Sequence, residues 1–175
     1  DLAILVVDIN EGIKPQTAEV IQIFKTNKTP FLIALNKVDN VSGWRKMGED
    51  MKTNISMQAQ HVKSNFEEKL YMFMASLNSH GFDSELYYNM NDFTKKIALV
   101  PVSAKTGEGM NELLMMLCGL CQKFLKGNLQ LGEKPKGIIL EIKKEKTSTY
   151  AEAIIYDGLI KNTDEIAIAN FNLGK

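Results

Sequence analysis

The sequence lacks an excess of charge of either sign and any long apolar run. Its 175 residues carry 21 basic and 21 acidic side chains, so the formal net charge is zero. Such a balance gives no electrostatic basis for binding DNA or an anionic membrane surface. No apolar stretch approaches the roughly 20 residues that span a bilayer, and the chain does not open on a signal-peptide pattern. We therefore expect neither a membrane nor DNA among its partners.

Cysteine is scarce as well. Cys118 and Cys121 are the two present, and their Cys-x-x-Cys spacing is compatible with a metal or redox site. Zinc needs about four ligands, and no second cysteine pair or nearby histidine supplies the others. Both cysteines lie inside a helical pattern beside Leu117 and Leu120, away from a helix N-terminus that would activate a thiol. The sequence thus predicts buried, reduced cysteines and a reducing, cytoplasmic compartment.

A phosphate-binding loop is also missing. Such a loop cradles nucleotide phosphates with a Gly-x-x-x-x-Gly-Lys-Ser/Thr run, and the sequence contains none. The opening residues, 2–7, already form a buried-strand pattern with no start signal before it. This combination predicts a fragment whose phosphate half, metal ligands and catalytic groups precede Asp1. The chain alone is therefore expected to be inactive.

What the sequence does contain is Asn36-Lys37-Val38-Asp39, directly after the apolar run 31–35. A carboxylate offers two acceptor oxygens that match the N1–H and N2–H donors of guanine, a donor pair that adenine lacks. We interpret Asp39 as the residue that accepts hydrogen bonds from the base. Asn36 is expected to connect the two loops and can also contact the base, and the aliphatic part of Lys37 can lie along one face of the ring. The alternative is an ordinary polar loop between a strand and a helix.

A second motif, Ser103-Ala104-Lys105, follows another apolar strand pattern at 97–102. The backbone N–H of Ala104 can donate to guanine O6, Ser103 steadies its loop, and Lys105 can cover the other face of the base. Ligands of parallel sheets bind outside the carboxyl ends of the strands, where both motifs fall. We expect GTP or GDP as the ligand, with Mg²⁺ in the intact protein held by residues outside this chain.

Strand and helix patterns alternate up to residue 127. Strands are predicted at 2–8, 30–35 and 97–102, and helices from Pro15, over about 55–79 and from Met110, with residues 82–96 irregular. This alternation predicts an α/β fold, a parallel sheet with crossover helices. The predicted apolar stripes of the three helices are Ala18, Ile21 and Phe24; Val62, Phe66, Leu70, Phe73 and Leu77; and Met110, Leu113, Leu114, Leu117, Cys121, Phe124 and Leu125.

Two further side chains have open interpretations. Asp8 ends the first strand and is either a metal ligand or, as we favour, an organiser of its own loop. Trp44 is the single tryptophan. It is interpreted as a packing anchor or a partner contact.

Beyond Gly127 apolar residues recur at every second position, the period of a β-strand. We predict a first domain over 1–127, a linker over 128–136, and the start of an all-β barrel domain over 137–175. Ile138, Leu140 and Ile142 mark its first strand, and Tyr150 to Tyr156 its second. Asp157-Gly158 is predicted as a hairpin turn, and Ile166 and Ile168 as part of a further strand.

The segment from Val7 to Thr17 resembles the Asp-x-x-x-Gly-x-x-Pro-Gln-Thr segment of translational GTPases, and both base motifs follow in the family's order. The long insertion between those motifs is similar to that of the translation initiation factor 5B family, which is related to bacterial initiation factor two. The runs 137–141 and 156–158 are similar to that family as well.

The resemblance implies the C-terminal half of a P-loop GTPase domain followed by the opening of a β-barrel domain. It implies a GTPase that promotes ribosomal subunit joining and acts with initiator tRNA. Two alternatives stay open. One is an elongation-type translational GTPase, such as a selenocysteine-type factor, against which the insertion at 54–96 argues. The other is a non-enzymatic binding module derived from a GTPase.

Overall fold

The structure is a computed structural model that describes residues 2–90, 92, 94–127, 132–144, 148–165, 167–168 and 171–172. The chain divides into two compact units, Asp1–Lys126 and Gly127–Lys175. The first unit is an α/β fold, and the second consists of antiparallel strands. Within the described part of the chain, no helix is both long and apolar enough to cross a membrane.

A four-stranded parallel sheet forms the centre of the first unit. Its strands are β1 (Ala3–Asp8), β2 (Phe31–Asn36), β3 (Ser84–Leu86) and β4 (Ile97–Pro101), in the order β1-β2-β4-β3. Phe31 to Leu35 of β2 are all buried. A continuous apolar run is what a central strand with both faces covered requires. The predicted α/β architecture is confirmed.

Helix α1 (Pro15–Asn27) begins where the sequence predicts, because the missing N–H of Pro15 costs nothing in the first turn. Ile21 faces the core, with Val20 and Phe24 half-buried beside it.

The helix predicted over 55–79 is two helices, α2 (Met51–Met57) and α3 (Gln60–Ser79). The backbone becomes extended at Gln58, with ψ near 149°. The amide of Gln58 bonds across the break to the backbone of Arg45 and to Asn54, which stabilises the interruption. The predicted core stripe of α3 is confirmed, and all five of its members are buried: Val62, Phe66, Leu70, Phe73 and Leu77.

The prediction that residues 82–96 are irregular is wrong in part. Strand β3 pairs in parallel with β4, from Ser84 opposite Ile97 to Leu86 opposite Leu99. A short 3₁₀ helix, Tyr87–Asn89, follows it. A strand of three residues is too short for a period-two pattern to show in the sequence.

Helix α4 (Met110–Phe124) buries a stripe that overlaps the predicted one only in part. Leu113, Met116 and Leu120 are buried, whereas Leu114 is 54% exposed. Met110 and Phe124 are exposed as well. The helix is apolar almost all round, so the sequence pattern does not single out one stripe.

The cysteine prediction is corrected by the same geometry. Cys118 is exposed and Cys121 half-buried, both as free thiols. Cys118 is two residues from both Met116 and Leu120. At 100° per residue it therefore lies on the opposite side of α4 from these core residues.

The second unit contains an antiparallel pair, β5 (Lys136–Lys144) and β6 (Thr149–Asp157), and a short pair, β7 (Ala167–Ile168) and β8 (Phe171–Asn172). These are the opening strands of an all-β domain, as predicted.

Among the described strands β6 pairs only with β5, so the hairpin turn that the sequence predicts at Asp157-Gly158 is not found there. Asp157 instead ends β6, where its carboxylate accepts from the Gly132 N–H at 2.7 Å and from Lys136 Nζ at 3.2 Å. Residues 128–131 of the predicted linker and Ile166 lie outside the described residues, and the linker stays a prediction.

Candidate functional site

The two predicted base motifs lie side by side at the carboxyl ends of β2 and β4. Leu35 is paired with Pro101 in the register of these strands. Beyond them, the Val102 N–H donates to Leu35 O at 2.8 Å, and the Val38 N–H donates to Val102 O at 3.2 Å. The backbone ladder therefore continues into the two loops and fixes them against each other.

Asn36 ties the loops together through its side chain, as the sequence predicts. Its Oδ1 accepts from the Ala104 N–H at 3.0 Å and from the Lys37 N–H at 2.8 Å. The Ala104 N–H was predicted to donate to guanine O6. Because it is engaged by Asn36, a base oxygen at this point would have to share or replace that bond.

Asp39 is anchored from the second loop. Its Oδ1 accepts from Ser103 Oγ at 2.6 Å, and that hydroxyl in turn accepts from the Thr106 N–H at 3.1 Å. Ser103 is fully buried and Asp39 half-buried. The bond from Ser103 is the one that the Asp39 side chain makes among the described residues, so acceptor capacity remains for a ligand.

Lys37 adopts a left-handed backbone conformation, with φ of 63°. Its Nζ lies 2.9 Å from Asp8 Oδ2. The other Asp8 oxygen accepts from the backbone N–H of Asn10 at 2.9 Å. These contacts hold the Lys37 side chain beside the end of β1 and confirm Asp8 as an organiser of its loop.

The ion pair between Asp8 and Lys37 shifts the pKa of both side chains. Burial alone would raise the pKa of Asp8, but hydrogen bonds from Lys37 and Asn10 hold it below its ordinary value of 3.8. The hydrogen bond to Asp8 raises the pKa of Lys37 above 10.5. Both groups are therefore charged at neutral pH. No set of three His, Cys, Asp or Glu side chains among the described residues could hold a metal ion.

Lys105 and Ala104 are exposed at the mouth of the loop. The structure thus brings together the six residues predicted for the site, at one edge of the sheet: Asn36, Lys37, Asp39, Ser103, Ala104 and Lys105. A carboxylate with acceptor capacity to spare can pair with the N–H edge of a flat heteroaromatic ring.

Sequence reasoning missed one residue behind the site, Glu108. It is 6% exposed. Its Oε1 accepts from Trp44 Nε1 at 3.2 Å and from the Asn54 amide, and its Oε2 accepts from the Thr106 hydroxyl. A glutamate between two glycines looks like part of a solvated loop, so the sequence carries no signal of this burial.

The fold is that of a known class of GTP-binding domain. Residues 1–123 match the family model of the elongation factor Tu GTP binding domain. The chain therefore belongs to this family.

Among individual proteins, a probable translation initiation factor IF-2 of Archaeoglobus fulgidus is 46% identical over 173 residues, which are 97% of this chain and 29% of that protein. The crystal structure of GDP-bound aIF5B from Aeropyrum pernix matches with a TM-score of 0.83 and 43% identity, over 94% of this chain and 28% of that one. The similarity to the initiation factor 5B family is thus confirmed. The chain spans less than a third of the length of the curated relatives it matches.

An elongation factor shares the fold at a much lower sequence identity. Elongation factor SelB from Methanococcus maripaludis, in its apo form, covers 98% of this chain and 31% of its own, with a TM-score of 0.52 and 22% identity. This likeness shows the fold alone. The comparisons accordingly favour the initiation factors.

Proposed function

We propose that this chain is the guanine-recognition half of a GTP-binding domain in a translation initiation factor GTPase. Asn36, Lys37 and Asp39 of one loop and Ser103, Ala104 and Lys105 of the other would contact GTP or GDP. The observation that carries the proposal is the placement of Asp39, anchored by Ser103 at 2.6 Å beside the Asn36–Ala104 tie.

Base selection follows from the chemistry of a fixed carboxylate. Guanine presents two parallel N–H donors to it, whereas adenine would leave the acceptor unpaired. Sites built on such polar complementarity discriminate by factors on the order of 10⁴. The anchoring by Ser103 supports this role, because a carboxylate held before the ligand arrives needs no reordering on binding.

The wider function rests on the relatives. The names of the similar proteins, probable translation initiation factor IF-2 and GDP-bound aIF5B, support a role in translation initiation with a guanine nucleotide. The role that we propose for the full-length protein is to promote ribosomal subunit joining with initiator tRNA, in the cytoplasm. Mg²⁺ and the phosphate-binding groups would be supplied by residues outside this chain, and residues 137–175 would begin a β-barrel domain. GTP hydrolysis belongs to the full-length protein, since this chain has no phosphate loop to position the transferred group.

Competition binding on the full-length protein tests the base assignment. Labelled GDP should be displaced by GDP and GTP but not by ADP at a thousandfold higher concentration. Ribosomal subunit joining, followed by light scattering, should be accelerated by the protein with GTP and not with ATP. Equal displacement by GDP and ADP would contradict the base assignment, and joining that is indifferent to the protein would contradict the assigned step.

The elongation alternative predicts a different result in the same assays. A factor of that type would leave subunit joining unchanged and would accelerate delivery of an aminoacyl-tRNA. A non-enzymatic module would bind guanine nucleotides but show no ribosome-stimulated GTP turnover in its full-length form.

A further inference from the structure

We infer that Glu108 is a positioning residue for guanine recognition, which couples the base-binding loops to the segment 41–59. We call residues 41–59, which include helix α2, the brace segment. This inference rests on the proposed function. The inference goes beyond the proposed function because it assigns a role in base specificity to a buried side chain that does not contact the base.

A continuous series of hydrogen bonds leads from Glu108 to the base acceptor. The Thr106 hydroxyl donates to Glu108 Oε2, and the Thr106 N–H donates to Ser103 Oγ at 3.1 Å. Ser103 then donates to Asp39 Oδ1 at 2.6 Å. The Ser103 N–H also donates to the backbone oxygen of Glu108 at 2.9 Å. Glu108 therefore fixes the loop whose hydroxyl orients Asp39.

The opposite side of the carboxylate binds the brace segment. Glu108 Oε1 accepts from Trp44 Nε1 and from the Asn54 amide. The Asn54 oxygen accepts in turn from the Met47 N–H at 2.9 Å and from Gln58 Nε2 at 3.0 Å. The brace segment thus has its own internal bonds, and it holds the carboxylate as a preformed unit.

Trp44 extends the connection to α3, because its ring lies 5.7 Å from that of Phe66. The backbone N–H of Trp44 also donates to the backbone oxygen of Val41 at 2.9 Å, in the turn that follows Asp39. Glu108 consequently links both base loops to a helix whose apolar stripe is buried. Loss of this carboxylate is costly, because the amide of Asn54, which is 1% exposed, would lose its acceptor without gaining water in its place.

Glu112 provides a matched control. It lies one helical turn further along, is 9% exposed, and accepts from the Met51 N–H at 2.7 Å. It therefore also holds the brace segment from α4. It makes no hydrogen bond to the loop 103–106 in the described structure, so its loss should affect the fold without affecting the base loops.

The test compares GDP with IDP in the full-length protein. IDP lacks the N2 amine, so the ratio of the two affinities reports how well Asp39 engages that donor. Glu108→Ala should lower the GDP-to-IDP ratio by roughly tenfold, the factor that one lost hydrogen bond to a charged group implies. Glu108→Gln should keep most of the ratio, because an amide can still accept from Trp44 and pair with the Thr106 hydroxyl.

Glu112→Ala should lower the thermal midpoint about as much as Glu108→Ala while leaving the ratio intact. Thr106→Val removes one hydroxyl from an exposed residue, and it should reduce the ratio even where Glu108→Ala fails to fold. An unchanged ratio in Glu108→Ala and Thr106→Val, or an equal fall in Glu112→Ala, would overturn the inference. A wild-type protein with no preference for GDP over ADP would instead overturn the proposed function itself.

Discussion

The side chain of Asn36 accepts a hydrogen bond from the Ala104 N–H at 3.0 Å, across 68 residues of sequence. The same oxygen accepts from the Lys37 N–H at 2.8 Å. One amide oxygen therefore sets the start of the first base loop and the middle of the second. This junction, together with the strands that carry the loops, sets the relative position of Asp39 and Ala104.

Replacing Asn36 tests how much that junction contributes. Asn36→Ala removes the acceptor for two backbone donors, and we expect GDP affinity in the full-length protein to fall about tenfold. Stopped-flow dissociation of a fluorescent GDP measures the effect. Asn40, an exposed residue four positions further along the chain, provides the matched control: Asn40→Ala should leave dissociation unchanged. Equal GDP dissociation rates for the two variants would show that the hydrogen bond between Asn36 and Ala104 does not contribute to nucleotide binding.

The Asp8–Lys37 pair predicts a specific acid sensitivity. Because the folded-state pKa of Asp8 lies below 3.8, its stabilisation is present above that value and is lost as pH falls through the folded pKa. Asp8→Asn should therefore lower the urea midpoint of the chain at neutral pH and flatten its decline between about pH 4 and pH 2. Trp44 fluorescence reports this transition in the unit that contains the pair.

Glu19→Gln is the comparison for that experiment, since Glu19 is an exposed carboxylate of α1. Its acid profile should overlay that of the unmodified chain. If Asp8→Asn also retains the full pH dependence, the ion pair with Lys37 contributes nothing to folding stability.

The turn before α4 contains two glycines, and their substitution by alanine should cost different amounts of folding stability. Gly107 and Gly109 have φ of 78° and 75°. A Cβ at Gly107 would meet nothing within 4 Å, whereas one at Gly109 would lie 2.1 Å from Pro101 O. We expect Gly107→Ala to lower the free energy of unfolding by about 1–2 kcal/mol. Gly109→Ala adds an overlap with backbone and should cost about 2–5 kcal/mol.

Denaturant titrations of the two alanine variants, side by side, give both values. Comparable losses would mean that the loop relaxes away from Pro101, and that its close approach to β4 is not required for the fold.

The sequence predicted the parts of this structure that follow from strong local patterns. The central strand at 31–35 and the five-residue stripe of α3 are long enough for their period to be unambiguous. The two base motifs were found because a donor–acceptor pattern needs particular residue types at fixed spacing. Their convergence follows from the parallel topology.

The errors arose where tertiary contacts decide the outcome. The break at Gln58 depends on bonds to Arg45 and Asn54, which no local pattern shows. The burial of Glu108 depends on donors more than 50 residues away. The exposure of Cys118 depends on which side of an all-round apolar helix meets the sheet.

Asp39 provides the decisive test of the site, because its geometry fixes the orientation of a substituted amide. Ser103 Oγ donates to Asp39 Oδ1 at 2.6 Å. In Asp39→Asn the amide oxygen can accept the same bond, and this arrangement turns the NH₂ group toward the ligand. That donor would oppose the guanine N2 amine, at a cost of roughly 1–3 kcal/mol beyond the lost bond. Xanthine carries a carbonyl oxygen at this position and should pair with the amide.

We therefore expect Asp39→Asn in the full-length protein to lose GTP affinity and gain affinity for xanthosine triphosphate, measured by competition for one fluorescent nucleotide. Ser103→Ala is the matched variant, because it removes the bond that orients the amide without changing the acceptor itself. In combination with Asp39→Asn it should erode the gain for xanthosine triphosphate, since the amide can then rotate. Retained GTP affinity in Asp39→Asn, or an equal loss of both nucleotides with an unchanged thermal midpoint, would show that Asp39 does not recognise the base.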